Sequence, residues 1–120
     1  MDFRQTNIVE LATKIRAGVM SAVEVTSVAL ENIEKVDVQL NSFCSVNPER
    51  ALAEALEVDA ALARGQNLPL AGVPIGVKDL EDAAGYVTSF GSDLHTNDPD
   101  ASQDSELVRR LKAAGCVVVG

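Results

Sequence analysis

The chain has 120 residues, of which 47% are apolar and only 3% aromatic, and its formal net charge is −8. That length suits one small domain, and the apolar content excludes a disordered tail. An acidic balance without a basic cluster argues against direct nucleic-acid contact, which needs a Lys/Arg surplus. No apolar run approaches the length of a membrane span or a signal core, so a cytoplasmic protein is expected.

The first half reads as helices. Asn7 can cap a helix, with Glu10 three residues on and Ile8, Leu11, Ala12 and Ile15 at helical spacing; Gly18 ends it. Ser21-Ala22-Val23-Glu24 is a second capping box, opening a helix that lines up Val25, Val28, Ala29, Ile33 and Val36. After a polar break at Gln39–Ser42, the short apolar run Phe43–Val46 is predicted as a first strand. Asn47-Pro48-Glu49 starts a third helix, with a cap, proline at the first helical position and an acid at the positive end. Ala51, Leu52, Ala55, Leu56, Asp59 and Leu62 share its predicted inner face, which stops at Arg64-Gly65. Asp59 among these apolar positions is either a solvated boundary residue or a buried carboxylate bonded to backbone.

Composition then shifts toward glycine, proline and short β-branched runs. Val73–Val77 reads as a buried strand, Tyr86–Phe90 as a weaker one, and Cys116–Val119 as a strand interior to a parallel sheet. Between them a helix begins at Ser102 or Asp104 and points Leu107, Val108 and Leu111 inward, ending at Gly115. Arg109, Arg110 and Lys112 fit a solvated last turn that favours the helix dipole. The architecture is therefore α/β: a helical segment (1–65), then the first strands and helix of a mixed, largely parallel sheet (66–120). A strand at 116–119 with no neighbour beyond it leaves an unpaired apolar edge, which invites association of copies.

Few residues carry chemistry. Cys44 and Cys116 lack the spacing of a zinc knuckle or redox pair and read as small buried hydrophobes. His95, the only histidine, sits among loop acids and makes no metal site. With no GxGxxG or phosphate loop, no nucleotide cofactor is expected. Lys78 is different. Alternation puts Val73, Ile75 and Val77 on one strand face and Pro74, Gly76 and Lys78 on the other. An ammonium at the end of a buried strand is costly unless paired or neutralised, and a neutral amine is a base or nucleophile. Alternatively the strand ends at Val77 and Lys78 reaches water.

The wider motif, Gly-Val-Pro-Ile-Gly-Val-Lys-Asp at 72–79 followed by Asp82, Gly85, Thr88 and Gly91-Ser92, resembles the amidase signature family. The N-terminal helices and the closing Leu107–Gly120 segment share the likeness, which covers essentially the whole chain as the N-terminal portion of an amidase domain. The resemblance implies hydrolysis of a small-molecule amide by a Ser–cis-Ser–Lys triad, without cofactor or metal, and makes Lys78 the triad lysine. The family's Gly-Ser-rich segment, which carries both triad serines, is not among these residues. Ser89, Ser92, Ser102 and Ser105 lack its context, so the chain alone is expected to be inactive. Asp79 and Asp82 read as structural acceptors of loop hydrogen bonds. The amidase subunit of a tRNA-dependent amidotransferase fits the same residues. A small binding or assembly module, in which Lys78 is merely exposed, is an alternative of another class.

Overall fold

The computed structural model describes all 120 residues. Helices α1 (Ile8–Arg16), α2 (Ala22–Leu40) and α3 (Pro48–Ala63) are followed by β1 (Pro74–Ile75), α4 (Glu106–Ala113) and β2 (Val117–Val118). Each helix begins where its side-chain cap predicts. Asn7 accepts from Glu10 N, Ser21 and Glu24 form a reciprocal capping box, and Asn47 accepts from Arg50 N ahead of Pro48. For α4 the cap is Ser105, close to the two starts considered.

Asp59 settles on the backbone-bonded option. Its carboxylate accepts the N–H groups of Ala22 (2.7 Å) and Val23 (3.1 Å) from α3, across to the start of α2. A helix N-terminus leaves its first N–H groups without intrahelical partners, and an anion there is also favoured by the dipole. Ser21 serves the Glu24 N–H, so three orphan donors of α2 are satisfied by two side chains. No helix is long and apolar enough to cross a membrane.

The strands pair in parallel with Pro74 opposite Val117 and Ile75 opposite Val118. The ladder runs slightly past the strand ends, since Val117 N donates to Val73 O, Val119 N to Ile75 O and Val77 N to Gly120 O. Side chains alternate across β2 as period two requires. Val117 and Val119 join a cluster with Leu11, Ile15, Val25, Ala55 and Val58 of the helices. Val118 faces the other way, onto Ala83, Tyr86 and Val108.

Gly72 locks the helices to this sheet. Its φ is +68°, and a Cβ there would lie 2.7 Å from Ile15 Cδ1 and 2.9 Å from Ala22 Cβ. Only glycine gives both the left-handed backbone and the close approach.

Several expectations are corrected. Phe43–Val46 forms no strand; Phe43 packs onto the helical cluster without a backbone partner, and an apolar run needs a neighbour to become a strand. Tyr86–Phe90 likewise folds as turns, with Tyr86 N bonded to Ala83 O. On α3 the inner line runs through Ala51, Ala55, Val58 and Ala61, and Leu56 is exposed. Leu107 on α4 and Ile8 on α1 are exposed too. Lys112 is not solvated as its neighbours are: it pairs with Glu54 (3.0 Å) and Asp104 (3.2 Å).

The outer edge of β2 is not bare at its centre. Because Val117 and Val119 direct their N–H groups to β1, the Val118 N–H points away from it. Glu54 of α3 accepts that N–H at 3.2 Å, so the predicted unpaired donor has a partner.

Candidate functional site

Lys78 follows β1 by three residues, where the chain reverses. Its carbonyl accepts from Leu80 N (2.7 Å) and Glu81 N (3.0 Å), and this turn lifts the side chain off the strand. Of the two readings left open by the sequence, the second holds: the strand ends before Lys78 and the residue is exposed, not buried at a strand end. It stands alone in charge. The other three lysines each meet a carboxylate: Lys14 with Glu10, Lys35 with Glu31, and Lys112 with Glu54 and Asp104. Lys78 is in no ion pair, even with Asp79 beside it.

An open cleft of about 740 Å³ has Lys78 on its wall, with Phe43, Cys44, Val87 and Phe90 among its other lining residues. Its floor is organised by Asp79. That carboxylate accepts the N–H of Ser89 (2.6 Å) and of Gly91 (3.1 Å), and also the Ser89 hydroxyl. These bonds, the Ser89 hydroxyl foremost, hold the Asp79 carboxyl below its ordinary range. The structural role expected for Asp79 is thus what the geometry shows. Asp82 accepts from Thr88 Oγ1 (2.6 Å), and Asp104 accepts from Ala84 N (2.8 Å). Three carboxylates thereby tie down a loop that has no sheet hydrogen bonds of its own.

Between the two backbone groups that Asp79 binds lies Phe90. Ser92 N donates to Ser89 O at 2.9 Å, closing a four-residue turn. Both central residues have positive φ, Phe90 at 55° and Gly91 at 65°. Turns of this hand favour Asn or Asp followed by Gly, so an aromatic residue is out of place there. The Phe90 ring meets the His95 ring edge-on, with centroids 5.4 Å apart. His95 itself is half-exposed at the end of a single 3-10 turn (Asp93–His95), and its Nδ1 lies 2.8 Å from Asp98.

Cys44 is exposed in the cleft rather than buried, 3.7 Å from Asp79 Oδ2. Desolvation and then the nearby carboxylate push its thiol up, which makes it a poor nucleophile. Cys116 is buried as expected, and burial raises its thiol to about 11. Ser89 is committed to Asp79, while the hydroxyls of Ser92 and Ser105 cap the turn at 93–95 and α4. None is poised against Lys78 by any hydrogen bond. The cleft residues Phe43, Cys44 and Phe90 escaped the sequence reading; only the Phe90-Gly91 pair, standing where a turn wants Asn-Gly, carried a signal.

Comparison with known proteins agrees with this arrangement. The profile of the Amidase family matches residues 24–120. The chain is 44% identical over 113 residues to the AtzE subunit of the 1-carboxybiuret hydrolase of Pseudomonas sp. (strain ADP), covering 93% of this chain and 25% of that one. It is 39% identical over 120 residues to a glutamyl-tRNA(Gln) amidotransferase subunit of Geobacter sp. (strain M21), covering 100% of this chain and 24% of the relative. The structure superposes on the peptide amidase of Stenotrophomonas maltophilia with a TM-score of 0.87 and 35% identity, over 98% of this chain and 24% of the amidase. The chain thus spans about a quarter of the length of the curated relatives it matches. Profile, identity and superposition agree with the motif around Lys78: the chain belongs to the amidase family.

Proposed function

We propose that these residues are the lysine-bearing part of an amide (carbon–nitrogen) hydrolase working through a Ser–cis-Ser–Lys triad. The observation that supports it best is Lys78 itself, the one lysine without a carboxylate partner, on the wall of a cleft and within the family's motif. In this role the Lys78 amine takes the proton of the nucleophilic serine hydroxyl by way of the bridging serine. The serine oxygen then bonds to the amide carbon, the C–N bond breaks, and the same proton returns to the leaving amine. Water completes the cycle by releasing the acid from the serine. A lysine can act so only if it enters the cycle neutral, and a neighbouring carboxylate would oppose that by favouring the ammonium. Asp79 forms no ion pair with Lys78, its oxygens being engaged by Ser89 and Gly91.

The Gly-Ser-rich segment with the two serines is not among these 120 residues, so the chain alone is expected to release no ammonia from amides. A chimera that substitutes these residues for the matching quarter of the Stenotrophomonas maltophilia peptide amidase tests the role directly. Lys78→Ala in it should lower kcat/KM by at least about a thousandfold. Lys78→Arg should not rescue it, because a guanidinium cannot give up its proton. An active Lys78→Ala chimera, or turnover by the 120 residues alone that Lys78→Ala abolishes, would refute the assignment. The likeness to a glutamyl-tRNA(Gln) amidotransferase subunit over all 120 residues supports a second substrate choice, glutamine, which the same assay compares with peptide amides.

A further inference from the structure

We propose that Lys112 is a positioning residue for Lys78, its ammonium clamping together the two pieces of backbone on which the Lys78 turn hangs. The inference deepens the function proposed above, in that it takes the placing of the Lys78 amine to matter for turnover.

Within the chain Lys78 has no ion pair, so the backbone on either side of it sets its place. Before it, Val77 N donates to Gly120 O (2.8 Å), just past the end of β2. After it, residues 82–86 run beside 101–105. Ser105 N donates to Asp82 O (2.8 Å), Gly85 N to Ala101 O (2.9 Å) and Ala101 N to Tyr86 O (2.9 Å). One anchor of the turn is thus β2, and the other is the entry to α4.

A carboxylate is fixed to each anchor. Glu54 Oε2 accepts the Val118 N–H at 3.2 Å, and Asp104 Oδ1 accepts the Ala84 N–H at 2.8 Å. Each has one oxygen left, and Lys112 Nζ takes both: Glu54 Oε1 at 3.0 Å and Asp104 Oδ2 at 3.2 Å. An unbroken line of contacts therefore joins β2 to the loop behind Lys78 through side chains of α3 and α4. Lys112 is 25% exposed, against 60% and 75% for Arg109 and Arg110, which pair with Glu106 of their own helix. Without the ammonium, two backbone-held carboxylates would face each other in a half-buried space and push the anchors apart. Arg50 could not replace it, since its Nε is 3.6 Å from Glu54 Oε1 and it has no ion pair with Asp104.

The test compares Lys112→Met, which keeps the stem and removes the charge, with Lys112→Arg, which keeps the charge. In the ¹⁵N-labelled chain, Lys112→Met should shift the NMR amide resonances of Lys78, Leu80 and Glu81 along with those of Ala84 and Val118. Lys112→Arg should leave the Lys78 turn in place. In the peptide amidase chimera, Lys112→Met should lower kcat about tenfold with KM held within about twofold, because a displaced base loses rate and not affinity. Lys112→Arg should restore most of that loss. Should Lys112→Met fail to fold, Asp104→Asn keeps an acceptor for Ala84 N–H, weakens only the pairing with Lys112, and should shift the Lys78 resonance in its stead. Shifts confined to α4, Ala84 and Val118, a lowered urea midpoint with kcat unchanged, or a loss that Lys112→Arg does not reverse would overturn the proposal. A chimera indifferent to Lys78→Ala would refute the triad instead, and the resonances of the chain itself judge the Lys112 clamp in either case.

Discussion

Helices α1–α3 and the segment from 66 onward are held by different means. The helices bury Leu11, Ile15, Val25, Ala55 and Val58 in one cluster, and their ends are closed mostly by near neighbours in sequence. The later segment has two strands of two residues each and long stretches of turn. There, side-chain carboxylates stand in for sheet hydrogen bonds: Asp79 on Ser89 and Gly91, Asp82 on Thr88, Asp104 on Ala84 and Glu54 on Val118. The lesson concerns the charge of −8. Part of that acidity holds backbone in place, and it does not by itself advertise a cationic partner. Buried polar groups need such partners, and a loop crossing a cleft has few other sources of them.

The contrast can be broken at the seam, at the helices, or at the loop. The largest effect is expected from Gly72→Ala, where a Cβ would meet Ile15 and Ala22 and φ is +68°. Left-handed strain and overpacking together should cost about 4 kcal/mol, read as a drop in the urea midpoint at unchanged slope. Next is Asp59→Ala, which strips acceptors from two N–H groups at the start of α2. It should cost about 3 kcal/mol in the same measurement, and Asp59→Asn less, since one amide oxygen remains to accept.

The smallest effect is a local one with pH. Asp79 is held below its ordinary value of 3.8, so the stability it adds is full above 3.8 and is lost as pH falls through its lower, folded value. Between pH 5 and 2 the N–H resonances of Ser89 and Gly91 should move together, while those of Val25 and Ala29, buried in α2, stay in place. A titration of Ser89 and Gly91 centred above 3.8 would show that Asp79 does not hold the turn.

How far the chain can be read without coordinates follows from the same contrast. Caps act over three or four residues, so Asn7, Ser21, Asn47 and Pro48 mark helix starts correctly. That 73–77 and 116–119 each hold a strand, in a largely parallel sheet, was also readable, because β-branched runs flanked by glycine have few other uses; that the two pair with each other came from the structure. What failed was what depends on distant neighbours. Phe43–Val46 has strand composition but no strand beside it. Leu56 and Leu107 fit a helical stripe, yet the helices turn other faces inward. Sequence left both a buried and an exposed Lys78 open, and the turn at 78–81 decides for exposure; the position of Phe90 is set by a carboxylate eleven residues earlier in sequence. Neither is visible to periodicity.

The bond from Glu54 to the Val118 N–H also has a consequence in time. The carboxylate belongs to α3, so the edge of β2 is guarded only after α3 has docked. On the other side Pro74 faces outward and has no N–H to offer, a protection that is present from synthesis. One flank of this two-stranded pair is therefore shielded by composition alone, the other only when α3 is docked against it.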